Sequence, residues 1–157
     1  MGIEVKFEAV PKEGFDIGDA VQKYFLLPIF KILFAVLQDG NRQIGYINLR
    51  TFITSADAPL RQAFASFRAA GITEFIIDFR YNGGGLVSTA EVMGDLLGGN
   101  RFSSDVFSVT RFRASKSSEN STQLFRSEPN AITPTKIAVI TTGSSASASE
   151  LVANSLI

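Results

Sequence analysis

The strongest constraint on how this chain can fold is a pattern that occurs twice: a short apolar run, a turn of small residues, then a segment with helical spacing. The first copy is Phe75-Ile76-Ile77, the loop Arg80 to Gly85, and Val87 to Leu97, which Gly98-Gly99 ends. The second is Lys136 to Thr142, the run Gly143-Ser144-Ser145-Ala146-Ser147-Ala148-Ser149-Glu150, and a helix over Ser147 to Leu156. Apolar runs this short, bounded by turn residues, read as strands buried on both faces. Strand, helix and strand in succession read as β-α units, whose parallel strands deliver their loops to one carboxyl edge. An α/β fold with repeated β-α units and a largely parallel sheet is therefore expected.

Further elements fit around that core. Asp57 is expected to cap a helix with Pro59 in its first turn, and Leu60, Ala63, Phe64, Phe67 and Ala70 recur at helical spacing. Gly71 stands where a left-handed stop belongs. Upstream, Ile3, Val5 and Phe7 alternate with Glu4, Lys6 and Glu8, as in a half-buried strand, and a short helix is expected over 19–27. Phe30 to Leu37 is rich in β-formers, Gln38-Asp39-Gly40-Asn41 is a hairpin signal, and Gln43 to Thr51 is the return strand. Asp105 to Arg113 reads as a strand. Ala114 to Ser127 is polar and Ser-rich without periodicity, and is expected to be a mobile loop. Residues 1–42 thus form a lead-in and 43–157 a single core. The apolar helix that carries Leu151, Val152, Leu156 and Ile157 is expected to be covered by further chain.

Composition removes several function classes. At 157 residues the chain suits one domain, and 45% hydrophobic residues, with 14 Phe, supply a core. Lys+Arg and Asp+Glu are both 15, and no basic stripe interleaves with aromatics, so no nucleic-acid partner is expected. Cysteine is absent, which excludes disulfides, a thiol nucleophile and a thiolate metal site; histidine is absent too, so no metal or other cofactor is expected. The opening Met1-Gly2-Ile3-Glu4-Val5-Lys6 has no basic segment followed by an apolar one. The most apolar stretch, Tyr24 to Leu37, is 14 residues interrupted by Pro28 and Lys31. A bilayer needs about 20, so no membrane insertion is expected.

Two loops are left to carry chemistry. In Asp78-Phe79-Arg80-Tyr81-Asn82-Gly83-Gly84-Gly85-Leu86, three successive glycines let a ligand approach the main chain, and N–H groups at a helix start suit phosphate or a developing oxyanion. No Gly-Lys-Ser/Thr follows, and G-x-G-x-x-G fails at Ser88, which weakens the phosphate reading. In the serine run, Ser145, Ser147 or Ser149 can be a nucleophile. Without histidine, its base must be a lysine or a carboxylate. Each loop alone also reads as structural: a tight strand-to-helix connection, and a polar helix start with Ser144 or Ser145 as N-cap and Glu150 as a first-turn acid. Together, at one sheet edge, a hydroxyl and backbone N–H groups are the two halves of an acyl-transfer site.

Ile76-Ile77-Asp78-Phe79-Arg80-Tyr81-Asn82-Gly83-Gly84-Gly85 resembles the D-L-R-x-N-x-G-G motif of the C-terminal processing (tail-specific) serine peptidases. Ser145-Ala146-Ser147-Ala148-Ser149-Glu150 resembles their T/S-A-S-A-S-E nucleophile motif, and Ile44-Gly45-Tyr46-Ile47 their I-G-Y-I strand. The resemblance runs from about Gln43 to the C-terminus. It implies a ClpP/crotonase-like fold and an endopeptidase with a Ser-Lys dyad that cleaves unstructured protein tails. Ser147 would be the nucleophile, and the N–H of Ala148 with that of Gly84 or Gly85 the oxyanion hole. Glu150 would support the loop, and Asp78 and Arg80 would hold the glycine loop. It further implies a polypeptide partner and an exported, periplasmic or organelle-lumen setting, and leaves the oligomeric state open.

The resemblance also locates a departure. In that family the lysine lies a few tens of residues beyond the serine, whereas ten residues follow Ser147 here, and none of Lys6, Lys12, Lys23, Lys31, Lys116 or Lys136 sits in the lysine motif. The chain by itself is therefore expected to be inactive. The PDZ domain of many relatives is not recognisable in it. Two alternatives remain on the same fold: a non-catalytic ligand-binding module, as in retinoid-binding proteins, and a crotonase-like acyl-CoA enzyme.

Overall fold

A computed structural model describes residues 5, 6 and 32–156. Among these described residues, seven strands and three α-helices follow in chain order: β1 (Val5–Lys6), β2 (Ile32–Asp39), β3 (Arg42–Leu49), α1 (Asp57–Ala69), β4 (Glu74–Asp78), α2 (Val87–Leu97), β5 (Val106–Thr110), β6 (Ser121–Leu124), β7 (Lys136–Ile140) and α3 (Ala148–Ser155). One sheet has the order β1-β7-β4-β3-β2. β3, β4, β7 and β1 run parallel, and β2 pairs antiparallel with β3 across the turn at Gly40 and Asn41. The α/β class with a largely parallel sheet is as the sequence pattern requires. The lead-in strand is described at Val5–Lys6, opposite Ile137 and Ala138; the helix expected over 19–27 lies outside the described residues.

The three central strands pair in register, Ile44 with Glu74 with Lys136 at one end and Asn48 with Asp78 with Ile140 at the other. Alternation sends Ile47, Leu49, Phe75, Ile77, Ile137 and Val139 to one face, where they join residues of all three helices in a single core. Ile44, Tyr46, Ile76 and Ala138 point to the other face and are only half-buried. The expectation of strands sealed on both faces is corrected to that extent.

Helix α1 shows why local sequence was a good guide. Leu60, Ala63, Phe64 and Phe67 form its buried stripe, and the Phe64 ring stacks 5.8 Å from that of Phe75. At its end Gly71 adopts φ +68°, the Gly71 N–H donates to Arg68 O, and the Ile72 N–H donates to Phe67 O, a complete Schellman stop. Its start differs from expectation. Asp57 is the first helical residue rather than the cap: the N-cap is Ala56, at the end of a 3₁₀ turn over Thr54–Ala56. Asp57 acts on the first turn through its charge.

Residues 106–124 depart most. β5 and β6 form a separate antiparallel pair, Val106 opposite Leu124 and Thr110 opposite Ser121, joined by a 3₁₀ turn over Ala114–Glu119. The expected mobile loop is thus partly a strand. Ser121–Leu124 carries a single apolar residue, so no alternation betrayed it; what anchors the pair lies beside it. Phe107 and Phe125 meet edge to face at 5.4 Å and close over α2 at glycine positions, since a Cβ at Gly94 would lie 2.3 Å from the Phe107 ring.

Helix α2 is therefore covered on two sides, and two acids on it are buried, Glu91 and Asp95. Arg126 answers both: its Nη2 donates to Glu91 Oε2 at 3.1 Å, and its N–H donates to Asp95 Oδ1 at 2.8 Å. Arg61 of α1 makes a two-pronged pair with Glu128 just beyond. Burial pushes the Asp95 carboxyl up to about 6, against the pull of Arg126. A raised folded-state value makes the folded chain bind this proton more tightly, so this contribution to stability is present below about pH 4 and is lost as pH rises through about 6. Asp95→Asn keeps the acceptor for Arg126 and removes the charge. It should raise the free energy of unfolding at pH 8 by roughly 3 kcal/mol at most, and leave it unchanged near pH 4. Thermal unfolding at the two pH values checks this.

Candidate active site

Because β3, β4 and β7 end level, the segments that follow them meet at one edge. Phe52, past β3, donates its N–H to Gly84 O at 3.0 Å and accepts from the Leu86 N–H at 2.8 Å, so the glycine loop runs beside it as a short parallel bridge. Below, the rings of Phe52 and Phe79 lie 5.5 Å apart, both fully buried. Gly85 has φ +139°, and a Cβ there would stand 2.1 Å from Phe52 O. Only glycine permits that approach.

At the end of β4, Asp78 is buried and accepts from the Tyr46 O–H at 2.7 Å and from Arg80 Nε and Nη2 at 3.0 and 2.6 Å. Burial raises its pKa, but the bonds from Arg80 and Tyr46 outweigh that and hold its carboxyl below the ordinary value. Tyr46 is pushed up to about 12 by burial and by the hydrogen bond to Asp78. Both stay in their ordinary charge states at neutral pH, as befits a brace. The expected hold of Asp78 and Arg80 on the glycine loop is corrected in its placing: they brace the exit of β4 against β3, and no bond runs from their side chains to Gly83, Gly84 or Gly85.

The residue that does hold the glycines is Asn82, fully buried. Its Oδ1 accepts from the Gly84 N–H at 2.9 Å and its Nδ2 donates to Leu49 O at 2.8 Å. Sequence reasoning passed over it because an asparagine in a glycine turn is usually solvent-exposed turn chemistry. Its place as the sole amide side chain in that loop was the available signal.

The serine run sorts by partner. Ser145 Oγ donates to Phe79 O at 2.7 Å and accepts from the Thr142 N–H at 3.0 Å. Ser149 Oγ, buried, donates to Asn82 O at 2.9 Å. Ser144 Oγ shares a bond with Thr142 Oγ1 at 2.9 Å. These three bind the loop to its neighbour or to itself. Ser147 is exposed, with φ +57° and ψ −116°, a conformation that costs a non-glycine residue of order 1–3 kcal/mol. It is the N-cap of α3, replacing the expected Ser144 or Ser145. Glu150 completes a capping box: its Oε2 accepts from the Ser147 N–H at 2.9 Å, and the Ser147 hydroxyl faces the Glu150 N–H. The proton of the Ser147 hydroxyl has no acceptor among the described residues.

The two loops touch at Gly84, which has φ +105°. A Cβ built there would lie 2.7 Å from Ser147 Cβ and 3.0 Å from Ala148 N. Ala148 opens α3, so its N–H is one that the helix cannot satisfy. The structure thus brings Ser147, Ala148, Gly84, Gly85 and Glu150 together. Of the lysines whose side chains are described, neither lies there: Lys136 opens β7 at the opposite edge of the sheet, and Lys116 pairs with Glu119 at 3.1 Å. Gly84→Ala should lower stability, through the collision and the left-handed backbone, by about 2–3 kcal/mol. Denaturant unfolding measures that loss.

An exposed serine on a strained strand-to-helix turn thus stands against a glycine loop at the carboxyl edge of the largely parallel sheet of an α/β domain. Residues 43–156 match the profile of Peptidase family S41, and the chain belongs to that family. It is 38% identical to the chloroplastic C-terminal processing peptidase of Tetradesmus obliquus over 47 residues, 30% of this chain and 10% of that protein. Among solved structures it resembles the photosystem II D1 C-terminal processing protease, with TM-score 0.63 and 23% identity over 83% of this chain. An S41-type protein of Bacteroides fragilis gives TM-score 0.69 and 23% identity over 79% of this chain. The aligned part is 34% and 35% of those two chains respectively, so this chain spans about a third of each.

Proposed function

We propose that residues 43–157 form the nucleophile half of a serine endopeptidase site that cleaves unstructured polypeptide tails. The observation that carries this is the partition of the serine run, in which the neighbouring hydroxyls are tied into the loops and Ser147 stands exposed beside Gly84 and the Ala148 N–H. In the reaction, Ser147 Oγ attacks the scissile carbonyl carbon while a base takes its proton. The oxyanion is held by the N–H groups of Ala148 and Gly85; the Gly84 N–H is already bound to Asn82. The base returns the proton to the leaving amine, and water then hydrolyses the acyl-enzyme by the reverse use of the same groups.

The base is a lysine outside the described residues, held neutral by burial. That reading rests on the absence of histidine from the sequence and on the family to which the chain belongs. Glu150 is a poorer base, since its carboxylate is spent on the Ser147 N–H. In the full-length polypeptide that carries this chain, Ser147→Ala should lower kcat on a denatured protein such as casein by at least roughly 10³-fold. Undiminished cleavage by that variant would remove Ser147 from the mechanism. A wild-type polypeptide that binds but never cleaves would favour a ligand-binding module on the same fold.

A further inference from the structure

Asn82 makes hydrogen bonds to five other residues, Leu49, Phe79, Gly84, Ala146 and Ser149, and both its side chain and its main chain take part. The side chain spans from the glycine loop to the end of β3, through Gly84 N–H and Leu49 O. Its carbonyl accepts from the Ala146 N–H at 3.2 Å and from Ser149 Oγ at 2.9 Å, gripping the serine loop on either side of Ser147. One fully buried residue therefore sets the height of the nucleophile and the shape of the glycine turn together.

The orientation of the Gly85 N–H follows from the same bonds. Gly84 O points to the Phe52 N–H, and the chain has no cis peptide among the described residues. A trans peptide sets its N–H opposite its C=O. The Gly85 N–H must then face away from Phe52, on the side where Gly84 meets Ser147 and Ala148. Holding the Gly84 N–H on Asn82 Oδ1 keeps the preceding peptide from rotating, so the 84–85 plane is fixed from both ends. A primary amide suits the task because it offers an acceptor to an N–H and a donor to a carbonyl from one planar group.

We propose that Asn82 is a positioning residue of the peptidase site: it aims the Gly85 N–H at the oxyanion position and locks that donor to the Ser147 loop. The role rests on the endopeptidase reading above; the placement rests on the hydrogen bonds alone. The test uses the full-length polypeptide with a fluorogenic peptide, and in a Ser147→Ala background measures amide hydrogen exchange at Gly84 and Gly85. Asn82→Ala should lower kcat about 10²–10³-fold with KM within about threefold of wild type, the pattern of a donor used only in the transition state. Gly84 should lose its exchange protection in the same variant. Asn82→Asp retains an oxygen for the Gly84 N–H and should restore at least about tenfold of the lost kcat.

A folded Asn82→Ala variant with unchanged kcat, or one whose whole loss lies in KM, would overturn the proposal. If Asn82→Ala does not fold, Asn82→Asp decides: Gly84 protection and kcat kept together, or lost together, support it, and kcat lost with protection intact overturns it. Should Ser147→Ala leave hydrolysis untouched, the peptidase reading fails on that result, whereas intact Gly84 protection in Asn82→Ala would fail the placement separately.

Discussion

Everything at the carboxyl edge depends on one constraint, the in-register parallel pairing of β3, β4 and β7. Parallel ladders fix the strand ends relative to one another, so Asn48, Asp78 and Ile140 lie in one row. Three chain segments consequently leave the sheet at the same height. Had β4 slipped by one residue, its side chains would exchange faces, and Phe75 and Ile77 would leave the core. The core thus enforces the register, and the register in turn fixes where the loops begin.

What the loops do from there is governed by hydrogen-bond accounting. Each polar group pushed below the surface needs a partner, and here the partners come from the neighbouring loop rather than from water. Ser145 and Ser149 each spend a hydroxyl on a carbonyl of the segment after β4. Asp78 spends its carboxylate on Tyr46 and Arg80. The Ser147 hydroxyl proton is left without an acceptor among the described residues. Strain is concentrated at the same place, with Tyr81 at φ +63° and Ser147 at φ +57° facing solvent on the two loops.

Much of this was legible in the residues, and the limits have physical causes. Helix α1 announced itself because its apolar stripe, Pro59 and Gly71 agree with one another, and the β2–β3 hairpin because Gly40 sits in its turn. The two β-loop-α units were readable for the same reason: local signals and tertiary role coincide. Asp57 misled because a good capping residue can also sit one place inside a helix. β6 was hidden since Ser121, Thr122 and Gln123 owe their strand to pairing with β5 and to the anchor at Phe125, which is a long-range cause. Ser147 was singled out by resemblance, while its difference from Ser145 and Ser149 lies in partners at residues 79 and 82, distant in sequence. Asn82 needed its burial to be seen.

The bonds between the loops after β4 and β7 have a dynamic consequence. Phe79 N–H to Ile140 O, Tyr81 N–H to Thr142 Oγ1, Ala146 N–H to Asn82 O, and the hydroxyls of Ser145 and Ser149 stitch residues 79–82 to residues 140–149. Neither can fray without exposing the unpaired groups of the other. They therefore belong to a single cooperative opening unit, unlike ordinary surface loops that breathe independently. A fluctuation that misplaces the serine also misplaces the glycines, so the domain passes between a fully assembled edge and a fully disassembled one, with little population of half-built sites between.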